Sequence, residues 1–393
     1  MNMNNKNWVS VWGNAVSIAE HHPEAYAKYI TLRYPVYIPF AGDTLRFTFD
    51  NYCGSEAVTV TRATVSAATS PVYEKMPLAC PCKKETICDI TFSKNESVTM
   101  GAHQTAVSDP VSFPVKKGMT LTVSLYFADF TLMQSAVLVT GPLSKGFFSL
   151  GDQTHADALP MDTTKTTNWI YFLSNIELMT AEENHTVICY GDSITAGAWP
   201  DYLTLLARQN PDNHTAFIRR ATSGSRVLRQ YECITYDSYG LKGTNRFPHE
   251  IPTTGADTVI IQQGINDIIH PIGIETNPFR PMSDLPTAKE LIDGYRYYIE
   301  EAKKLHLKVY MGTLLPIFGW RTYATFRDDL RNELNAWIRS AKEIDGYIDF
   351  DLALRGSENP SAFQEGFDSG DHLHPSSKAY QAMAECAYEV LRK

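Results

Sequence analysis

Ser193, Asp371 and two histidines, His372 and His374, are the residues of this chain best suited to acyl-transfer chemistry. Ser193 follows a short apolar run, Val187–Tyr190, and a turn through Gly191 and Asp192. The apolar run reads as a buried strand of a parallel sheet, and the ends of such strands are where ligands bind in open α/β sheets. A serine hydroxyl is a weak nucleophile until a base takes its proton. Asp371-His372-Leu373-His374-Pro375 supplies an imidazole beside a carboxylate just before the last helix. His374, three residues from Asp371, suits a tight loop that brings both side chains to one place. His372 adjoins Asp371, and neighbouring side chains of an extended loop tend to point apart.

Two further pieces supply hydrogen-bond donors for a developing oxyanion. Gly224, in Ser223-Gly224-Ser225-Arg226, lets a backbone N–H approach without a Cβ in the way. Asn266, in Gly264-Ile265-Asn266-Asp267 directly after the apolar run Val259–Ile261, offers a side-chain N–H. Each residue also has a plain reading by itself: a capping serine, a turn glycine, an Asx-turn asparagine, a histidine beside a helix. Asp192 and Asp267 are expected to brace their loops. Arg226, Arg246, Trp199 and Trp320 lie near these loops and are candidates for substrate contact, with Asp368 behind them. Packing and surface ion pairing are the competing roles. Tyr231, Tyr236 and Tyr239 precede Arg246 and are candidates to line a cleft. The strained G-x-S-x-G elbow of the α/β-hydrolases is absent.

Taken in order, G-D-S-I-T, S-G-x-R, G-x-N-D and D-x-x-H resemble the four blocks of the SGNH (GDSL-type) esterase superfamily. The resemblance covers about residues 185–393. The N-terminal half is similar to the β-sandwich that precedes the catalytic domain in one bacterial branch. By this resemblance Ser193 is the nucleophile, His374 the base and then the acid, and Asp371 its partner. The oxyanion hole would comprise the amides of Ser193 and Gly224 with the side chain of Asn266. The resemblance implies an ester hydrolase with an acyl-Ser193 intermediate and no metal or organic cofactor. Members act on acetylated sugars, lipids, aryl esters and thioesters. The sandwich companion favours short acyl groups, chiefly acetyl, on oligosaccharides, by analogy of fold. The alternatives are a broad aryl or short-chain lipid esterase, and a glycan-binding protein with an inert hydrolase domain.

The elements that must position these residues follow from periodicity. Beyond residue 183, apolar strands alternate with helices: Pro200–Arg208, a helix opened by Thr287 and Glu290 as a capping box, Phe326–Ala341 and Pro375–Leu391. Such βα alternation predicts a three-layer α/β/α sandwich with a mainly parallel sheet. Residues 1–182 read as strands. Leu45–Phe49 and Met119–Leu125 alternate apolar and polar residues, and turn chemistry separates the runs. A jelly-roll-like β-sandwich is expected there, with a helical piece near Pro23–Ile30 and a loop from Ser144 to Thr167. The domain boundary falls in the polar stretch Thr180–Asn184.

Composition bounds the rest. The chain of 393 residues carries a formal net charge of −9, which disfavours general nucleic-acid or anionic-membrane binding. No run is long and apolar enough for a transmembrane helix, and the polar N-terminus lacks a signal-like core, so a cytoplasmic location is expected. Seven cysteines make no closed disulfide set. Cys53, Cys80, Cys82 and Cys88 match no common zinc module, and free thiols are preferred to metal. The expected partner is a small-molecule or oligosaccharide ester.

Overall fold

Period-two alternation builds the N-terminal half. The computed structural model describes residues 6–19 and 25–392. Met119–Phe127 pairs antiparallel with Ile30–Ile38 in unbroken register, from Met119 opposite Ile38 to Phe127 opposite Ile30. It pairs on its other side with Arg62–Ala67. These belong to a six-stranded sheet completed by Gly146–Leu150, Lys165–Thr167 and Cys88–Ile90. A five-stranded sheet holds Lys6–Gly13, Leu173–Ala181 and Gly42–Asp50, with Thr105–Val107 and Val111–Val115 against the last. Alternate residues of both sheets share one core: Leu121, Val123 and Leu125 with Phe47, Phe49 and Ile176. The first half is therefore two antiparallel sheets around a common apolar interior.

Two expectations change here. The segment Ser144–Thr167 is not all loop, because Gly146–Leu150 pairs with Ile30–Ile38. Its five residues are too few to show periodicity. Part of the helix expected near Pro23–Ile30 lies outside the described residues. Tyr26–Ala27 is strand, paired with Thr131–Leu132, and Ile30 opens another strand. Tertiary pairing overrode a weak local preference.

The outer face of Ile30–Ile38 is also buried. Tyr37 and Phe147 pack there against Val72, Met76, Cys80 and Leu159. Arg33 is fully buried on this face. Its guanidinium donates to the carbonyls of Cys80 (3.3 Å), Gln153 (2.7 Å) and Ala156 (2.8 Å), and its Nε to Ser124 Oγ (2.9 Å). The cysteine-bearing loop is thus tied down by an arginine. Cys80 and Cys82 are buried free thiols, and burial pushes the Cys80 thiol up to about 12. Among the described residues no group of cysteines, histidines and carboxylates is placed to share a metal ion.

The second half carries a five-stranded sheet in the order Thr215–Ala221, His185–Gly191, Ala256–Gln262, Lys308–Gly312, Gly346–Ile348. Strands Ala256–Gln262 and Lys308–Gly312 are parallel, as are Lys308–Gly312 and Gly346–Ile348. This is a doubly wound order, with the second strand in sequence outside the first. The order reverses at His185–Gly191, so its carboxyl end is a topological switch point, and Ser193 sits just beyond it. Helix Ala288–Lys304 starts at the expected capping box, with both Thr287 and Glu290 bonds formed. Helix Gly243–Glu250 went unread, since Gly243 and Pro248 both argue against helix. The chain divides into two compact units, one running to Thr186 and including Pro211–Ile218, the other Val187–Asn210 with Arg219 onward. Among the described residues no helix is long and apolar enough to cross a membrane.

Replacing Arg33 by methionine leaves three carbonyls facing a thioether. A stability loss of about 3 kcal/mol or more in urea unfolding is expected, as each buried group left without a partner costs about 1–3 kcal/mol. A loss below about 1 kcal/mol would mean that the carbonyls find other donors.

Candidate active site

Ser193 leaves the end of strand His185–Gly191 and opens a single helical turn, Ser193–Ala196. Asp192, not Ser193, caps that turn, its Oδ1 accepting from the Ile194 amide at 3.1 Å. The serine hydroxyl is thereby left for other partners. Its backbone N–H, at the first turn position, has no intrahelical acceptor. Gly191 is required where it stands, because a Cβ there would meet the Gln262 carbonyl oxygen and Thr195 Oγ1.

The loop before the last helix brings up the imidazole. Ser193 Oγ and His374 Nε2 are 2.8 Å apart, and His374 Nδ1 lies 2.6 Å from Asp371 Oδ2. The other Asp371 oxygen accepts from the amides of His374 (2.8 Å) and Leu373 (3.0 Å) and from Ser369 Oγ (3.2 Å). Partial burial pulls the Asp371 carboxyl upward, but the His374 ring and the two amides outweigh it and hold the group at about 2. It is a carboxylate at any working pH, so it fixes the Nδ1–H tautomer and leaves Nε2 to face the hydroxyl. His372 is committed elsewhere. Its Nδ1 meets Asp368 Oδ2 at 2.5 Å, and the Asp368 Oδ1 accepts from the Gly370 and His372 amides. Asp368 is accordingly a loop brace. The Pro375 expected near the helix start lies before the cap, which is Ser376.

The Gly224 loop is held from the end of strand Ala256–Gln262. Gln263 Nε2 donates to Ser225 Oγ (2.9 Å), and Asn266 Nδ2 to the Ser225 carbonyl (3.1 Å). Asp267 accepts from the amides of Val227 (2.8 Å) and Leu228 (3.0 Å). Gln263 is itself fixed, because Tyr298 donates to its Oε1 at 2.7 Å and Tyr295 to its carbonyl at 2.8 Å. Gly224 has φ +77°, and a Cβ there would run into the Tyr239 ring. One Asn266 N–H fixes the amide plane and the other remains to donate. Burial pushes Asp267 up to about 6 against the two amides that lower it.

Four residues put forward for substrate contact separate into two pairs. Trp199 is fully buried, packed on Phe350 at 5.5 Å, with its Nε1 on Thr195 Oγ1, so it has no face for a ligand. Arg246 is buried too. It pairs with Glu250 (2.7 Å), donates to the Gly191 carbonyl (2.8 Å) and the Arg220 carbonyl (3.3 Å), and lies over the Tyr190 ring. It ties two strand ends together beneath the serine. Both expectations are corrected: proximity in sequence to a motif loop does not say which way a side chain turns. Trp320, half-buried under the Arg321 guanidinium, and Arg226, on the wall of a cleft, stay within reach of a ligand. Sequence reasoning missed Gln263 and His270. A polar pair, Gln262-Gln263, ending an apolar strand was the available signal for the first. For His270 it was a position one helical turn beyond Asn266.

The arrangement offers a base-activated hydroxyl and convergent donors, and the comparisons with known proteins bear on its kinship. The family model described as "GDSL-like Lipase/Acylhydrolase family" matches residues 189–382. This chain contains a GDSL-type acylhydrolase domain. No curated protein matches the chain. Among solved structures, this chain is similar to a GDSL-like lipase from Bacteroides thetaiotaomicron, at 20% identity over 54% of this chain and 89% of that one, with TM-score 0.40. An acetylxylan esterase from Geobacillus stearothermophilus matches at 16% identity over 52% and 93% of the two chains, with TM-score 0.39. The GDSL domain's own polar interior gives its stability a pH dependence. Asp192 is buried, and burial pushes it up to about 7 although the Ile194 amide lowers it. The native state then holds a proton that the unfolded chain has released, so stability falls as pH rises from about 4 towards 7 and stays reduced above that. Asp192→Asn keeps the cap acceptor and removes the titration. Urea unfolding at pH 5 and pH 8 is expected to show a smaller loss for the variant than for wild type; equal losses would place the ionisation elsewhere.

Proposed function

We propose that this protein is a serine esterase that removes short acyl groups, chiefly acetyl, from carbohydrates. What carries the reading is the continuous hydrogen-bonded line from Asp371 through His374 to Ser193, with distances of 2.6 and 2.8 Å. Ser193 Oγ attacks the ester carbonyl carbon while its proton passes to His374 Nε2. The carbonyl oxygen becomes an oxyanion held by the Ser193 and Gly224 amides and by Asn266 Nδ2. Collapse expels the alcohol, which takes the proton from His374. Water then attacks acyl-Ser193, giving its proton to His374, and the acid leaves as Ser193 is restored. Asp371 stays ionised and steadies the imidazolium. No metal or organic cofactor enters these steps.

Short acyl groups on sugars are favoured because an aromatic ring, Tyr239, abuts Gly224 of the candidate oxyanion hole, and such rings suit sugar faces. The two-sheet N-terminal half, taken as jelly-roll-like, suits a carbohydrate enzyme by analogy of fold alone. The acidic net charge of −9 fits neither a nucleic acid nor an anionic membrane as partner.

Ser193→Ala is expected to lower p-nitrophenyl acetate hydrolysis by at least about 10³-fold, and Asn266→Ala by about 10²–10³. Hydrolysis by Ser193→Ala at the wild-type rate ends the proposal. Acetate release from acetylated xylo-, manno- and pecto-oligosaccharides, read by product mass, tests the carbohydrate part separately.

A further inference from the structure

One cluster in the C-terminal unit is used by none of the steps above. It starts at His270, one turn beyond Asn266, whose backbone carbonyl accepts from the His270 amide. Tyr239 stacks on the His270 ring at 5.2 Å and closes on Gly224 from its other side. Tyr231 adjoins both, at 5.7 Å from Tyr239 and 5.9 Å from His270. Two guanidinium groups bracket Tyr231: Arg226 at 4.3 Å and Arg280 at 5.9 Å, the latter also over Tyr236 at 4.4 Å. Thus contiguous aromatic rings run from Gly224 to two buried guanidinium groups, one of them on the Gly224 loop itself.

The two cations differ in their company. Arg226 pairs with Asp284 at 3.1 Å. Arg280 is 7% exposed, and its guanidinium has neither a hydrogen bond nor a carboxylate partner among the described residues, only ring faces. An aromatic face recovers part of what removing a guanidinium from water costs, and an anion recovers far more. Arg33 shows a satisfied buried guanidinium in this same chain, saturated by carbonyls. The cluster around Arg280 is short of acceptors in particular. Arg280 Nε, Arg226 Nε and Tyr231 OH are all buried without partners, as is His270 Nδ1. Unpartnered buried polar atoms are rare, and here three of the four belong to groups that donate. Burial, with the charges of Arg280, Arg226 and Arg321, holds the His270 imidazole well below its usual range, so it is neutral and cannot serve as a competing cation. Beside the cluster an open cleft of about 580 Å³ is walled by Arg226, Tyr231, Phe279 and Pro281, the last two flanking Arg280 in sequence.

We infer that this cluster binds an oxyanion, with Arg280 as its anchor and Arg226 and Tyr231 as further donors, so that the ester substrate carries a negative charge on its alcohol portion. The chemistry is that of an O-acylated acidic sugar, its anion a carboxylate or a sulfate. A guanidinium beside a phenol recognises either by charge-assisted hydrogen bonds. The substrate half of this inference rests on the esterase proposal; the anion site does not.

The test has two independent arms. Thermal unfolding of Ser193→Ala is followed with sodium glucuronate, sodium sulfate, glucose, or sodium chloride at matched ionic strength. Glucuronate or sulfate is expected to raise the Tm above the chloride control while glucose does not, since a ligand of the native state stabilises it. Adding Arg280→Gln abolishes the shift, and Arg280→Lys keeps part of it. A response to glucuronate alone, or to sulfate alone, identifies the anion. No response beyond chloride, or an equal response once Arg280→Gln is added, overturns the site; if that double variant does not fold, Ser193→Ala alone and with Arg280→Lys added decide. In the kinetic arm, kcat/KM is compared for an acetylated glucuronoside and the matching acetylated glucoside. Wild type is expected to prefer the charged ester, and Arg280→Gln to lose that preference by about thirtyfold. Equal wild-type values for the two esters overturn the substrate assignment. Failure of wild type to hydrolyse any ester defeats the esterase proposal and leaves the Tm arm standing.

Discussion

A hydrogen bond of 2.8 Å between Ser193 and His374 spans 181 residues of chain, and the C-terminal unit is arranged so that it can form. Neither end is free to wander. Asp192 caps the turn that presents the serine, and Arg246 fastens the carbonyl of Gly191 just before it. The imidazole is held from behind by a carboxylate that is itself fixed by two amides. A pair held this way loses little entropy when it forms, because its partners have already spent theirs.

The same economy runs through the polar groups behind the site. Gln263, just past the end of one strand, and Asn266 and Asp267, in the short helix Ile265–Ile269 that follows, all reach the loop that carries Gly224. Tyr295 and Tyr298, from helix Ala288–Lys304, lock Gln263 in turn. Buried polar groups are costly unless every member is satisfied, so such a network specifies one loop conformation rather than adding much stability. Asp192 and Asp267 show the residual cost, since both carboxyls are pushed upward by burial.

Two buried arginines illustrate how differently the fold treats the same side chain. Arg33 in the N-terminal unit is surrounded by carbonyl oxygens and serves as a strut for the loop bearing Cys80. Among the described residues, Arg280 in the C-terminal unit has aromatic faces beside it and no hydrogen-bond or carboxylate partner for its guanidinium. The contrast lies in acceptors, not burial, and it is what separates an arginine that completes a structure from one that awaits a ligand.

Periodicity and local chemistry made much of this protein legible without coordinates. Alternation marked the long strands, βα succession marked the parallel sheet, and Thr287 with Glu290 marked a helix start, because each depends on residues near one another in the chain. The four motif loops were readable for the same reason, and so were Ser193, Asp371 and His374 as residues to examine. What stayed hidden were short strands such as Gly146–Leu150, a helix containing Gly243 and Pro248, and the direction in which Trp199, Arg246 and Arg280 turn. Those depend on partners many residues distant. Residue type and spacing therefore determined which groups are at hand and which elements carry them. Only tertiary packing decided which arginine is paired, which tryptophan is sealed in, and which histidine faces the serine, since burial and hydrogen-bond partners are properties of the folded neighbourhood and not of the local sequence.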